Sequence, residues 1–409
     1  MEWMLQTKRH IERTMLIAAL AFGGVAVAQE PLAPAVGQVV AEQDSDAASG
    51  DFSFQPTWLD LGMPFWPPSN TQTSQTPIRT SQTPVQTSQT PVQTSPTPVQ
   101  NASRPRTEGS MVGYIDNPIV QSQIRIRFDD AFEDQFPDRS EFFYAKCACY
   151  RGLQNIIPAA FDPNAPGPGP GVPKAINFQQ LYVNAEYSPH RRFSAFVEVP
   201  IRWLQPQGFQ SIPPFAAFPN ESGLGDVMAG FKFAAVASEA TFITFQLKAD
   251  FPSGDASKGL GTNHYSVEPS LLLYRKISSR FTLEGQLGDW HPIGGSAGVP
   301  ITGSEGFAGD IFFYGIGPSY KLYSGERVKI APVVELFGWH VLSGFQTQPV
   351  TGTVDGAASE AGGINIVNLK VGTRISVGVH NSFYVGFGQA LTHDDWYKHI
   401  IRLEYRYVF

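Results

Sequence analysis

Few side chains here combine a type and a spacing that could do chemistry. His264 lies two residues from Ser266, the nearest approach to a base beside a nucleophile. Acyl transfer needs the His to take the Ser proton and a third group to orient the ring. Neighbours on one strand do not assemble that geometry by spacing alone, so no hydrolytic triad is read from them. His393-Asp394-Asp395 with His399 offers nitrogen and oxygen donors that suit a divalent metal, and equally the composition of a solvated rim. Cys147-Ala148-Cys149 offers two soft sulfur ligands, but no second Cys pair completes a structural zinc site. A bridge between cysteines this close would be strained; free thiols, a loop-local bridge and an intermolecular bond all stay open. The residues therefore imply no catalytic, cofactor-binding or metal site, and no enzyme.

Composition narrows the class of protein that holds them. Only 16% of the 409 residues are charged, where soluble domains average about a quarter. The formal charge of -7 leaves no basic footprint, which excludes nucleic acid as a partner. Past the first thirty residues no uncharged apolar run reaches the roughly 18 residues of a membrane helix. Lys8, Arg9 and Arg13, a short apolar run over 15–27 and the small-residue site Ala26-Val27-Ala28 read as an export signal over 1–28, cleaved before Gln29. Residues 29–110 then carry a degenerate repeat, T-S-Q-T-P-V-Q, with Pro77, Pro84, Pro91 and Pro98. Proline in every repeat breaks helices, so this stretch reads as a disordered, solvated periplasmic tether, a spacer or a cell-wall contact.

From residue 111 onward the texture is that of strands. In residues 192–203, Phe193, Ala195, Val197, Val199, Ile201 and Trp203 fall on one face and Ser194, Glu198 and Arg202 on the other. In 363–377, Val367, Leu369, Val371, Ile375 and Val377 oppose Asn368, Lys370 and Arg374. This period of two marks strands with one apolar face. About twelve such segments are expected, over 121–129, 176–187, 192–204, 222–235, 240–251, 264–277, 280–291, 310–323, 327–339, 363–377, 382–390 and 398–409. Their connections alternate. Short ones fall at 188–191, 236–239, 278–279, 324–326 and 380–381; long ones occupy 130–175, 205–221, 252–263, 292–309, 340–362 and 391–397. A transmembrane barrel has that alternation, with tight periplasmic turns and longer outer loops. The fold expected over 111–409 is therefore all-β, a single antiparallel transmembrane β-barrel of about 12 strands with both termini periplasmic.

Aromatic residues at strand ends suggest two girdles, Trp203, Phe251 and Tyr265 at one interface and Tyr187, Phe193, Phe281, Tyr320 and Phe383 at the other. The chain ends with Leu403, Tyr405, Tyr407 and Phe409 on one face, similar to the terminal strand that bacterial assembly machinery reads on outer-membrane barrels. Tyr405, Tyr407 and Phe409 are the expected assembly signal. In the middle of the chain, Ser222-Gly223-Leu224-Gly225-Asp226-Val227 opens a strand and Phe251-Pro252-Ser253-Gly254-Asp255 closes the next. This pair resembles the G-x-G-D and P-x-G-D elements of the outer-membrane family labelled "MetA-pathway of phenol degradation". The resemblance covers roughly 176–409 and implies a barrel with a permeation role. By itself Asp226 reads as an inward carboxylate that pairs with an inward Arg or Lys and stiffens the wall.

Strand parity also supplies a lumen wall. The basic positions are Arg125, Arg127, Arg202, Lys232, Lys248, Lys329, Lys370, Arg374 and Arg402, together with Arg192 and Arg406. The acidic ones are Glu186, Glu198, Asp226, Asp250, Glu268, Glu284 and Glu335, together with Glu404. Both signs are present, so pairing across strands is expected, with a weak anion preference from the modest basic excess. Val197→Arg should then impair assembly and Ser194→Arg should not. The function expected is an outer-membrane channel for small solutes, aromatic or hydrophobic ones as the resemblance implies, with membrane lipids and the barrel-assembly machinery as its partners. The alternatives are a structural or adhesion barrel plugged by the loop over 130–175, and an outer-membrane hydrolase.

Overall fold

The computed structural model describes residues 109–136, 172–210, 219–294, 308–348 and 357–409. The export signal, the repeat tether, Cys147 and Cys149 lie outside the described residues. Sixteen strands are present among the described residues: β1 Gln123–Asp134, β2 Ile176–His190, β3 Phe193–Pro206, β4 Glu221–Leu224, β5 Val227–Ala237, β6 Thr241–Phe251, β7 Tyr265–Lys276, β8 Phe281–Ile293, β9 Ile311–Tyr320, β10 Tyr323–Ser324, β11 Val328–Val341, β12 Phe345–Gln348, β13 Ala357–Glu360, β14 Asn365–Val377, β15 Asn381–Ala390 and β16 His399–Val408.

They make twelve staves of one barrel. β4 and β5 share one stave, because β4 pairs with Ile201–Leu204 of β3 and β5 pairs with Phe193–Glu198 of the same strand. The break between them falls at Gly225 and Asp226. β10 is a two-residue extension on β11, and β12 with β13 forms a separate hairpin. Each stave runs antiparallel to the next, and β16 closes on β1 from Gln123↔Val408 to Phe132↔His399. An even count brings residues 123 and 408 to the same end, where the short connections also gather. All twelve expected segments are strands, with their ends shifted by a few residues.

The barrel is inside-out relative to a soluble protein. Val197 is 42% exposed and Val371 is 50% exposed on the outer surface, while Glu284 and Glu335 are fully buried within. An outer wall of Val183, Phe245, Leu271, Leu287, Ile316 and Val385 has no aqueous rationale. In hydrocarbon it is the favourable arrangement, since an Arg or Lys on that face costs roughly 2–4 kcal/mol at the midplane. Staves of 10–15 residues also reach or exceed the roughly 9–11 needed to cross as tilted strands. Closure leaves no edge, so every ladder group in hydrocarbon is paired within the sheet. This is an outer-membrane-type β-barrel.

The expected girdle residues point outward, with Tyr187, Phe193, Phe251, Tyr265 and Tyr320 all exposed. Phe251 and Tyr265 meet edge to face at 6.1 Å. At the end of β16, Tyr407 and Phe409 stack at 6.3 Å on the outer face.

Candidate functional site

The lumen is not empty. Residues 109–120 precede the first strand and lie inside the barrel, with Val112, Ile115, Ile119 and Val120 buried. The barrel wall begins at Gln123, two residues into the first expected strand over 121–129. The segment Ser110-Met111-Val112-Gly113-Tyr114-Ile115 has no strand partner, so its peptide groups are met by side chains from the wall. Glu335 Oε1 accepts from Gly113 N–H at 2.9 Å, and Oε2 accepts from Tyr114 and Ile115 N–H at 2.9 and 2.8 Å. Glu284 Oε1 accepts from Met111 N–H at 2.8 Å. Arg374 donates to the Met111 and Val112 carbonyls at 3.0 and 2.6 Å, and Arg402 to the Gly113 carbonyl at 2.8 Å. Ionised side chains form the stronger class of hydrogen bond, and here they replace a β-ladder.

Fit reinforces this clamp. A Cβ on Gly113 would sit 2.2 Å from the Tyr384 ring, so only glycine lets the segment pass there. Tyr384 in turn donates its hydroxyl to Glu335 at 3.1 Å. Farther along, Asp116 accepts from Gln246 and Gln286 at 2.8 and 3.3 Å, and Thr244 donates to the Pro118 carbonyl at 2.6 Å. Burial alone would raise the Asp116 pKa, but Lys248 and Arg125 beside it hold its carboxyl well below the usual range.

Above this segment lies a cavity of about 280 Å³. Tyr114, Asp116 and Asn117 contribute to its floor; Trp290, Phe313, Phe337, Trp339, Trp396 and Tyr397 supply aromatic wall. The charged wall is largely paired. Arg125 meets Glu198 at 2.5 Å, and Arg127 meets Glu198 at 3.3 Å and Asp129 at 3.6 Å. Lys232 meets Glu186 at 3.0 Å, Lys248 meets Glu268 at 2.6 Å, and Arg402 holds Asp129 through two bonds of 2.6 Å.

Of the positions expected at the lumen wall, Arg192 lies exposed in the short turn between β2 and β3. Glu404 and Arg406 face inward and pair with each other. The rest divide into three groups. Arg125, Arg127, Glu186, Glu198, Arg202, Asp226, Lys232, Lys248, Asp250, Glu268, Lys370 and Arg402 line the cavity. Glu284, Glu335 and Arg374 face inward but are covered by the inserted segment. Lys329 lies by the short-turn end, opposite Ser376, and does not line the cavity.

Asp226 acts differently from the cation pairing read for it. It accepts from Gly254 N–H at 2.9 Å and from Thr262 N–H at 2.7 Å. Ser253 Oγ accepts from Val227 N–H and donates to the Gly225 carbonyl, at 2.9 and 3.0 Å. Asp255 caps the short 3₁₀ turn Ala256–Lys258. The two short motifs therefore form one latch at the long-loop end. A Cβ on Gly261 would fall 2.4 Å from the Asp226 carboxylate, so close backbone approach is what that glycine supplies.

Ser266 donates to Asp250 at 2.9 Å, whereas His264 Nδ1 faces the Thr262 carbonyl at 3.0 Å. No base–nucleophile bond joins the pair. Burial lowers the His264 pKa, keeping the ring neutral. No nucleophile elbow was expected from the sequence, yet Gly294-Gly295-Ser296-Ala297-Gly298 spells G-x-S-x-G. A nucleophile elbow needs a strand-to-helix turn, and Ser296 lies outside the described residues. Among the described residues the group of potential metal donors is not at His393–His399. It is Asp289, His291 and Asp310 on the outer surface, with His291 Nδ1 2.5 Å from Asp310.

Fold and site together define a transmembrane β-barrel whose lumen holds the segment just before its first strand, below a small, ring-lined cavity. Over residues 189–288 the chain matches the family model described as "Putative MetA-pathway of phenol degradation". That span contains both halves of the Asp226 latch, the motifs that carry the resemblance. None of the curated proteins is detectably similar in sequence. Among solved structures, an outer membrane channel from Pseudomonas putida F1 is 13% identical, with 71% of this chain and 96% of that one covered at a TM-score of 0.42. The NanC porin is 6% identical, over 70% and 100% of the two chains, with a TM-score of 0.36. LpxR from Salmonella typhimurium is 10% identical over the same shares, also at 0.36. At scores this low, none of these likenesses bears on function.

Proposed function

We propose that this protein is an outer-membrane channel for small solutes with an aromatic or apolar body, passing them by way of the lumen cavity. The observation that carries this reading is the cavity wall, where rings and pre-paired charges share about 280 Å³. That volume is near the low end of ligand sites, roughly 300–1,000 Å³, and suits a single-ring molecule. Charges neutralised in pairs form no one-sign ion filter, so selectivity falls to shape and apolar contact. Both ends of the barrel chain lie with the short turns, which are periplasmic in barrels of this type. The tether would then start in the periplasm and lead directly to the inserted segment.

A second reading, a closed structural barrel, is favoured by that same segment. Its clamp by Glu284, Glu335, Arg374 and Arg402 obstructs the lumen near the short-turn end. The loop over 130–175, the plug first expected, lies mostly outside the described residues. Planar-bilayer recording together with liposome uptake of phenol separates the two. Conductance or phenol entry above protein-free bilayers supports the channel; silence in both, with correctly folded barrel, supports the structural reading.

A further inference from the structure

Lys370 is a cavity cation whose ammonium the fold leaves without a hydrogen-bond acceptor among the described residues. It is 3% exposed and lines the cavity, yet none of the ion pairs or hydrogen bonds among the described residues engages its ammonium. Its cross-strand partner is Glu335, but that carboxylate is occupied by three backbone N–H groups and the Tyr384 hydroxyl. The nearby Asp129 is held by Arg402. What surrounds Lys370 instead is aromatic: Nζ lies 4.0 Å from the Tyr114 ring centroid, 5.2 Å from Phe337, 5.3 Å from Trp339 and 5.7 Å from Tyr397.

Ring faces offset part of the desolvation cost of a buried ammonium. They do not neutralise it, and Arg402 sits 4.1 Å from the same Tyr114 ring, adding a second positive group. Arg402 has its carboxylate; Lys370 does not. The Lys370 ammonium is therefore left without a hydrogen-bond acceptor in a low-dielectric wall, and an anionic oxygen in the cavity would supply one. A second polar group waits beside it. The Tyr114 hydroxyl is buried with no hydrogen-bond partner among the described residues, and Tyr114 also lines the cavity. An orphaned hydroxyl and an unpaired ammonium, walled by flat rings, are complementary to an anion on a flat apolar body.

We propose that Lys370 and Tyr114 form a binding site for a small aromatic monocarboxylate, with its ring among Phe337, Trp339 and Tyr397. The ammonium and the hydroxyl take the carboxylate, and the rings take the apolar body by offset or edge-on stacking. This assignment rests on the channel reading for its physiological use, but binding is measurable without transport.

The test is calorimetry on the full chain in detergent, with benzoate as probe and acetate and benzyl alcohol as partial probes. Benzoate should bind at least roughly tenfold more tightly than either, since a charge-assisted hydrogen bond is worth that much. Lys370→Met should weaken benzoate by a similar factor. Tyr114→Phe, which keeps the ring and supports the case should Lys370→Met fail to assemble, should weaken it about threefold. Lys258→Met, on an exposed outer turn, should leave binding unchanged. Acetate or benzyl alcohol matching benzoate, no benzoate binding, or unchanged binding in an assembled Lys370→Met would each overturn the site. Liposome uptake of benzoate is scored separately. Binding without uptake keeps the site and removes the channel; uptake with no Lys370-dependent binding does the reverse.

Discussion

At the scale of single residues, Glu335 holds the most of the lumen. Its two oxygens satisfy three consecutive backbone amides that no strand can reach. Each buried amide left without an acceptor costs about 1–3 kcal/mol, more than a twelve-residue segment can lose and stay docked. Glu335→Ala should therefore release residues 109–120 while the wall persists, raising single-channel conductance and opening the segment to protease; unchanged conductance would mean the clamp lies elsewhere. Asp116 adds a pH dependence of known sign. Its carboxyl is held down by Lys248 and Arg125, so its contribution is present at neutral pH and fades only as pH falls below about 4, its unfolded value. Asp116 should add no step between pH 7 and 5, so the full chain and Asp116→Asn should share one conductance profile over that window; a step that Asp116→Asn removes would contradict the assignment. Both residues show the limit of parity. Alternation marked Glu335 as inward, but nothing in the sequence says that its partner is backbone. Asp226 was visible as a motif residue, and its real partners, two amides from the next loop, are distant in sequence by 28 and 36 positions.

At the scale of elements, the staves were legible because a barrel wall in lipid imposes one rule on every strand, apolar out and polar in. The inserted segment obeys no such rule. Ser110–Ile115 has neither a period of two nor a ladder, so it is indistinguishable from linker until its contacts are seen. The structure also changes which substitution tests the wall. Ser194 does face inward, but it is fully buried and donates to Glu186 at 2.6 Å, beside Lys232. An arginine there overpacks a closed network, so the earlier contrast with Val197 is not a clean one. Met228 lines the cavity and has room. Val197→Arg, on the lipid face, should sharply reduce folded barrel in membranes, by the roughly 2–4 kcal/mol of a midplane charge. Met228→Arg should assemble near wild-type yield and alter only ion flow. Equal yields from the two variants would refute the face assignment.

At the scale of the whole molecule, closure and occupancy act against each other. Twelve staves enclose a bore far narrower than that of a 16–18-stranded porin, and the inserted segment narrows it further. The wall does not need that segment for its ladder: β16 closes on β1 through ten paired positions, all of them after residue 122. Stability of the barrel and closure of the pore are therefore separable. Deleting residues 111–120 while keeping the tether joined to residue 121 should leave a barrel that still migrates anomalously on unheated gels, as a closed sheet in detergent does. The same deletion strips acceptors and donors from Glu284, Glu335, Arg374 and Arg402 together. Water and ions would then solvate those four groups, and conductance should rise several-fold over the intact chain. Arg374 keeps Glu404 at 2.9 Å and Arg402 keeps Asp129, whereas both glutamates lose the main-chain N–H groups that held them. Main-chain N–H groups carry no net charge, however, and the deletion also removes Asp116 and frees Lys248 and Arg125 beside it. The opened pore should therefore keep the weak anion preference expected of the intact lumen. Reversal potentials in a salt gradient read that sign directly. A deletion that conducts no better than the full chain would show that the long loops, not residues 109–120, close the pore.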